Sequence, residues 1–214
     1  MNQEVAIRLE QSDDCSPVEA LTREAFWNLF RPGCDEHYVT HLIRCHEDFL
    51  PDLTFVAEVD GQIVGSIVYT RSWVVNGQGE RVETATFGPL CVHPAWQRQG
   101  VGAALIGHTR VLAAQKGYPA ILILGDPHNY CKHGFRTGRD VNVCTADGRY
   151  PLGLLALELR PDFFAGHTWT FHTSPVFEFD PTAVDVYDAR FPPKEKKHQW
   201  SQDLFAMLVR SVVE

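Results

Sequence analysis

Residues 4–9 (Glu-Val-Ala-Ile-Arg-Leu) alternate polar and apolar positions, the period of a strand. Ser16-Pro17 is a pair that starts helices, and Val18, Leu21, Ala25, Phe26 and Leu29 follow at helical spacing. Arg31-Pro32-Gly33 stops that helix, which is predicted over 16–30; a second helix is predicted over 35–46, with Tyr38, Leu42 and Cys45 on one side. The period then shortens. Residues 54–59 read as a strand, Asp60-Gly61 as a hairpin turn, and 62–69 as the returning strand. Residues 74–81, with Gly and Asn, read as a loop, and 83–93 as a third long strand broken at Gly88-Pro89.

The clearest helix lies over 98–116, with Val101, Ala104, Leu105, His108 and Leu112 on one stripe; Gly117 ends it and Pro119 prevents continuation. Ala120-Ile-Leu-Ile-Leu124 is wholly apolar, the mark of a strand buried on both faces. Weaker strands follow near 141–145 and 154–159. The order β, α, α, β, β, β, α, β, short α, β, β places one strand–helix–strand unit inside an antiparallel frame. That pattern predicts an α+β fold with a mixed sheet.

Composition narrows the class. The chain has 214 residues, 44% hydrophobic and 21% charged, enough to bury one substantial core. No apolar run reaches the roughly 18 residues of a membrane span, and the first residues lack the basic head and apolar stretch of a signal peptide. A cytoplasmic protein without membrane partner is expected. The charge of -8, from 27 acidic and 19 basic residues, disfavours nucleic acid as a partner. It suits a cationic one better, although acidic surfaces also serve solubility alone. Six cysteines, none in C-x-x-C, read as reduced thiols.

The candidate chemistry begins at Val92-His-Pro-Ala-Trp-Gln-Arg-Gln-Gly-Val-Gly-Ala-Ala-Leu105: a strand, a turn with two glycines, then a helix. Backbone N–H groups at such a helix start lack internal partners, and the helix dipole adds partial positive charge, so the turn suits an anion such as phosphate. Glycine lets the backbone approach a ligand closely, and Arg98 adds a full charge. A Walker loop is excluded because no Lys-Ser or Lys-Thr follows these glycines. A dinucleotide fingerprint is disfavoured because Leu105 stands where its third glycine belongs, and Asp126 fits its acidic position poorly.

The remaining match, Gln97-Arg-Gln-Gly-Val-Gly-Ala103, resembles the pyrophosphate loop R/Q-x-x-G-x-G/A of the GNAT superfamily of acyl-CoA-dependent N-acetyltransferases. Tyr130-Cys-Lys-His-Gly-Phe135 resembles that family's Y-x-x-x-G-F and follows the 120–124 strand in the right order. Three further stretches, Phe87–Pro94, Leu124–Tyr130 and Leu157–Pro161, resemble the YhbS-like predicted acetyltransferases within it. The resemblance covers about residues 4–180.

It implies a mostly antiparallel GNAT-type sheet with a central parallel pair splayed around a β-α-β acyl-CoA site, flanked by helices. It also implies acetyl-CoA as donor cosubstrate, an amine as acceptor, and no metal. Gln97, Arg98, Gln99, Gly100, Val101, Gly102 and Ala103 would hold the pyrophosphate. Leu90, Cys91 and Val92 would offer backbone groups to the pantetheine arm, a form of strand addition, with Pro89 marking a free edge. Tyr130 would serve the departing thiolate as the catalytic residue. Some relatives carry a carboxylate as base in mid-strand; Thr86 stands there in this chain, and alternation puts Glu83 on the other face. The alternative function is an acyl-CoA sensor or interaction module that does no chemistry on the same scaffold.

Cys34, His37, His41 and Cys45 share a helical face, but they spread over about 16 Å at 1.5 Å per residue, too far to surround one tetrahedral ion, which leaves only a two-residue half-site completed from elsewhere. Residues 1–180 are therefore read as the acetyltransferase domain and 181–214 as an extension. Phe191-Pro-Pro-Lys-Glu-Lys-Lys reads as a charged linker. Trp200, Leu204, Leu208 and Val212 then recur every four residues, with Phe205 and Val209 beside them, giving an amphipathic helix. Its apolar face is expected to dock on its own domain or on a second copy, as a homodimer, near the open sheet edge, where it either shapes the acceptor cleft or only covers apolar surface.

Overall fold

The computed structural model describes residues 5–214, and among these nine strands form one sheet. The first strand, β1, spans Ala6–Leu9; the predicted start at Glu4 lies outside the described residues. Two helices follow, α1 (Cys15–Phe26) and α2 (Glu36–Arg44). The hairpin comprises β2 (Phe55–Val59) and β3 (Gln62–Asn76), and β4 (Arg81–Val92) runs back beside β3. The unit α3 (Val101–Gln115) and β5 (Ala120–Leu124) crosses over to lie parallel to β4. The rest comprises α4 (Pro127–Tyr130), β6 (Arg136–Thr137), β7 (Val143–Cys144), β8 (Leu154–Glu158), β9 (Trp169–His172), α5 (Pro181–Asp188) and α6 (Trp200–Arg210).

The main path is β1-β2-β3-β4-β5-β8-β6, antiparallel except at β4–β5; β9 joins the far end of β3 and pairs in parallel with β7. The wholly apolar β5 is explained by burial on both faces. Ile121 and Ile123 join the core beneath α3, with Phe55, Tyr69, Phe87 and Leu105. Ala120 and Leu122 join a second core on the opposite face, with Phe163, Phe164 and Trp169. In the first core the one buried hydroxyl of Tyr69 meets Thr109 Oγ1 at 2.9 Å, so it is not left unpaired.

Several expectations change. The predicted loop 74–81 is half strand: β3 continues to Asn76 and β4 begins at Arg81, and in the turn between them the Asn76 side chain accepts from the N–H groups of Gln78 and Glu80. The helix predicted from Arg98 begins at Val101, because Arg98 and Gly100 adopt left-handed φ of 60° and 89°. Residues 181–188, assigned to an extension, form a docked helix: Asp180 caps it through Thr182 N, and Asp188 takes a two-point ion pair from buried Arg23 of α1. The segment read as a linker lies along α1, where the Glu195 carbonyl accepts from Trp27 and Asn28 and Lys194 pairs with Glu24. No helix of the described residues is long and apolar enough to cross a membrane.

Candidate active site

β4 and β5 pair only at Ala85↔Ile121. Beyond that point the strands separate while β4 stays bonded to β3, through Ile67↔Leu90, Ser66↔Cys91 and Gly65↔Val92. Pro89 has no N–H, and the β3–β4 register shifts beside it. The result is a strand edge facing a cavity of about 760 Å³. Its walls are β4 from Phe87 to Val92, β5 and its continuation from Ile123 to Asp126, the end of α1, the start of α2, and α6. Leu124, 64% exposed, marks where the sheet has opened.

The residues singled out by sequence divide into two groups. Leu90, Cys91, Val92, Gln97 and Tyr130 all line this cavity. Arg98, Gln99, Gly100, Val101, Gly102 and Ala103 do not line it; they form the turn and helix start that follow Gln97, and a Cβ on Gly102 would sit 3.7 Å from Val92 Cγ2. The first bond of the helical ladder is Ala104 N to Gly100 O at 2.9 Å, so the N–H groups of Val101, Gly102 and Ala103 have no acceptor inside the helix. A Cβ on Gly100 would meet nothing within 4 Å, and Arg98 is exposed. This donor set fits an anionic group. The side chain of Val101 does not take part: it is buried against Gly65, whose missing Cβ would come within 2.9 Å of Val101 Cγ1. Gln97 donates to Val92 O at 3.1 Å and so fastens the turn to the strand end. Gln99 ties the turn to Ala95 O, and His93 Nδ1 accepts from Ala95 N.

Tyr130 is half-buried at the end of α4, its ring against Phe87 and Phe135 with centroids 5.7 and 5.9 Å away. The ring crosses the backbone of Gly125 so closely that a Cβ there would lie 2.6 Å from Tyr130 Cε2. Burial, then the nearby Asp126 carboxylate, push the Tyr130 hydroxyl up to about 12. Cys91 lines the cavity, yet its Sγ lies 3.4 Å from Thr22 Oγ1 of α1, and burial pushes the thiol up to about 11. It is a packed thiol rather than a nucleophile.

Thr86 is buried with Oγ1 unpartnered, and Glu83 lies on the other face, beside Arg71 at 3.5 Å, as alternation requires. Glu83 there borders a second hollow of about 570 Å³, whose Lys116 is already paired with Asp52. Among the described residues, no group of three or more His, Cys, Asp or Glu side chains is arranged to hold a metal. Cys34 meets His37 Nδ1 at 3.3 Å, and His37 Nε2 lies 3.1 Å from Asp188, so this face of α2 binds α5 instead.

Two features escaped sequence reading. One is Glu36, which opens α2 and lines the cavity. Burial pushes its carboxyl up to about 7, although its own and the Asp35 N–H groups oppose the shift. The helix start at Asp35-Glu36 was visible in the sequence; that it faces a cleft was not. The other is how α6 sits. Gln202 Nε2 donates to Asn28 O and Lys197 O, Ser201 to Leu29 O, and Phe205 stacks on Phe30 at 4.3 Å. Part of the apolar stripe borders the cavity beside the β4 edge, through Trp200, Leu204, Phe205 and Leu208, with Trp200 73% and Leu204 53% exposed.

Residues 51–137 match the family model for the acetyltransferase (GNAT) domain. Over 130 residues the chain is 31% identical to YhbS of Escherichia coli (strain K12), described as an uncharacterized N-acetyltransferase, covering 60% of this chain and 72% of that one. The crystal structure of E. coli YhbS in complex with CoA superposes with a TM-score of 0.71 and 25% identity, over 84% of this chain and 94% of that one. A GNAT family acetyltransferase from Brucella melitensis in complex with acetyl-CoA shares the fold, with a TM-score of 0.64 and 24% identity over 82% and 99% of the two chains. The sequence shared over most of a relative's length, and not shape alone, decides the matter: this chain belongs to the GNAT N-acetyltransferases.

Proposed function

We propose that this acetyltransferase takes acetyl-CoA as donor and passes the acetyl group directly to an amine within the cavity between β4 and β5. The observation that carries the reading is a juxtaposition. The unpaired edge of β4, Gln97 before the glycine turn, and Tyr130 line one cavity, and the donor-rich start of α3 follows Gln97 directly in the chain. CoA-bound YhbS and acetyl-CoA-bound Brucella melitensis protein support the donor by analogy.

In this scheme the thioester supplies an activated carbonyl. The free N–H groups of Val101, Gly102 and Ala103, with Arg98, hold the pyrophosphate. The main chain of Leu90, Cys91 and Val92 accepts the pantetheine arm as an added strand. Tyr130 stands ready for the charge that collects on sulfur. Its hydroxyl at about 12, against about 8.5 for a thiol, makes full proton transfer uphill by about 5 kcal/mol at 1.36 per unit. A hydrogen bond that strengthens as the C–S bond breaks is therefore its role. The scheme makes no use of a metal or of Cys91 as a covalent carrier.

Thr86, at the position where some relatives carry a carboxylate, favours the competing reading of a silent acyl-CoA sensor. Thiol release from acetyl-CoA with a panel of amines separates the two. Tyr130→Phe is expected to keep acetyl-CoA affinity and lose about 10²–10⁴ in turnover. Binding without turnover of any amine supports the sensor, and a loss below fivefold makes Tyr130 structural.

A further inference from the structure

The cavity's charges are one-sided. Its walls carry three carboxylates, Asp35, Glu36 and Asp126, and no lysine, arginine or histidine. Asp35 is held by Arg31 through one oxygen while its Oδ1 is buried without a hydrogen-bond partner, and Asp126 accepts the N–H of His128. The Glu36 carboxylate, at the start of α2, accepts main-chain N–H groups, its Oε2 taking that of Asp35 at 3.0 Å, and it forms no ion pair among the described residues. The cation that acts on it, Arg31, is the one held by Asp35. The cavity that Glu36 lines also carries apolar side chains, among them Phe26, Phe30, Val39 and, from α6, Leu204. Of the elements that enclose it, β4, the end of α1 and α6 present no charged side chain to the cavity. The strand β5 and α4 present Asp126 and Tyr130.

We infer that Glu36 anchors the acceptor as an ammonium ion and takes one of its protons, and that the surrounding walls select a primary amine borne on a hydrophobic body and lacking a carboxylate. This inference rests on the acetyltransferase reading. An ordinary alkylamine is protonated near neutrality and has no lone pair to attack with. A charge entering an apolar cleft is disfavoured unless paired. Glu36 pairs with it, and moving a proton from nitrogen to the Glu36 carboxylate removes both charges at once. Because burial has raised the carboxyl to about 7, that transfer is less uphill than to a solvated glutamate.

The freed nitrogen then forms its bond to the carbonyl carbon, the C–S bond breaks, and its electron pair goes to sulfur beside Tyr130. The second nitrogen proton goes to the sulfur, giving amide and thiol, and Glu36 returns its proton to solvent. With no cation in the walls, an acceptor bearing carboxylate or phosphate meets only repulsion. The exposed Trp200 and Leu204 offer the apolar cover that such a body needs.

The test uses the full chain, acetyl-CoA and three probes: phenethylamine, phenylalanine and ethanolamine. Phenethylamine is expected to exceed both others in kcat/KM by about 100-fold, the scale of one buried apolar or unpaired polar group. Its kcat/KM should rise through about pH 7 and then level. In Glu36→Gln, acetyl-CoA affinity is expected to hold, kcat/KM to fall by about 10²–10⁴, and the break near pH 7 to vanish in favour of a steady climb toward the amine's own pKa. Glu36→Gln with acetyl-CoA affinity and kcat/KM both within fivefold of wild type overturns the inference, as does a preference for phenylalanine or ethanolamine. Should Glu36→Gln fail to fold, a wild-type profile with no break between pH 6 and 8 overturns it equally. Those outcomes leave acetyl transfer standing. Failure to bind acetyl-CoA, or to use any amine, removes both readings together.

Discussion

At the scale of single residues, Glu36 shows a site held at a cost to the fold above neutrality, whereas Tyr130 stays neutral there in both the folded and the unfolded chain. Both are groups whose ionised forms are disfavoured by burial. For Glu36 the sign can be worked out. Unfolded, a glutamate titrates near 4.3; folded, this one titrates at about 7. The stability gained by keeping it neutral is therefore fully present below the unfolded value and is lost as pH rises through about 7. Glu36→Gln has nothing to ionise. Without ligand it is expected to melt above wild type at pH 8 and close to it at pH 4.5, read by thermal denaturation at both pH values. A difference in Tm that is the same at both would show that the carboxyl does not titrate in this range. The sequence displayed Tyr130 because its motif is contiguous. It hid the importance of Glu36 because an acidic residue at a helix start is ordinary, and only the enclosing walls make it unusual.

Among the elements, the strand–helix–strand unit was legible because its signals are local. A two-sided apolar strand, a glycine turn and a stop at Gly117 follow one another within a short stretch. Of the elements missed, β9 is four residues long with a threonine and a histidine at its less buried positions, too short for a period to register. Helix α5 carried a readable cap, Asp180 before Pro181, but its neighbourhood of prolines and charges hid it. One dependence no linear reading shows is that the turn's position hangs on Gly65 of β3. A Cβ there would press on Val101 and Leu105 at 2.9 and 3.2 Å, lifting the start of α3. Gly65→Ala is expected to destabilise by about 1–3 kcal/mol through overpacking and to weaken acetyl-CoA binding without touching the ligand. Gly102→Val should behave differently, with ordinary stability but about tenfold to hundredfold weaker binding, the worth of a lost charge-assisted hydrogen bond. Urea titration alongside calorimetric binding separates the two; equal affinities in both variants and wild type would remove the turn from the donor site.

For the molecule as a whole, the boundary expected at residue 180 does not coincide with a break in its contacts. Arg23 is bridged to Asp188, Trp27 to the Glu195 carbonyl and Asn28 to Gln202. The acceptor side of the cavity is thus built jointly by α1, α2 and α6. Gln202→Ala with Phe205→Ala removes two hydrogen bonds of about 1 kcal/mol each and one ring stack. This pair is expected to raise KM for whichever amine is used by about tenfold while leaving acetyl-CoA affinity unchanged. An unchanged KM would make α6 a cover only.

The long reach of that wall also sets an order of assembly. The bonds that seat α6 on the chain after α1 close loops of 172 and 174 residues, whereas β4, the glycine turn and α3 are neighbours along the chain. Closing long loops is entropically slow, and nearby pairings form first. During refolding from urea, the donor half is therefore expected to become competent before the acceptor half exists. Pulsed hydrogen exchange in the presence of acetyl-CoA should find the amides of β4 and α3 protected while those of α6 still exchange. Simultaneous protection of all three would mean that the two halves condense as one unit. A sequential result would describe a protein that passes through a brief age in which it holds its thioester with no wall to keep water away, and in which hydrolysis is the only reaction open to it.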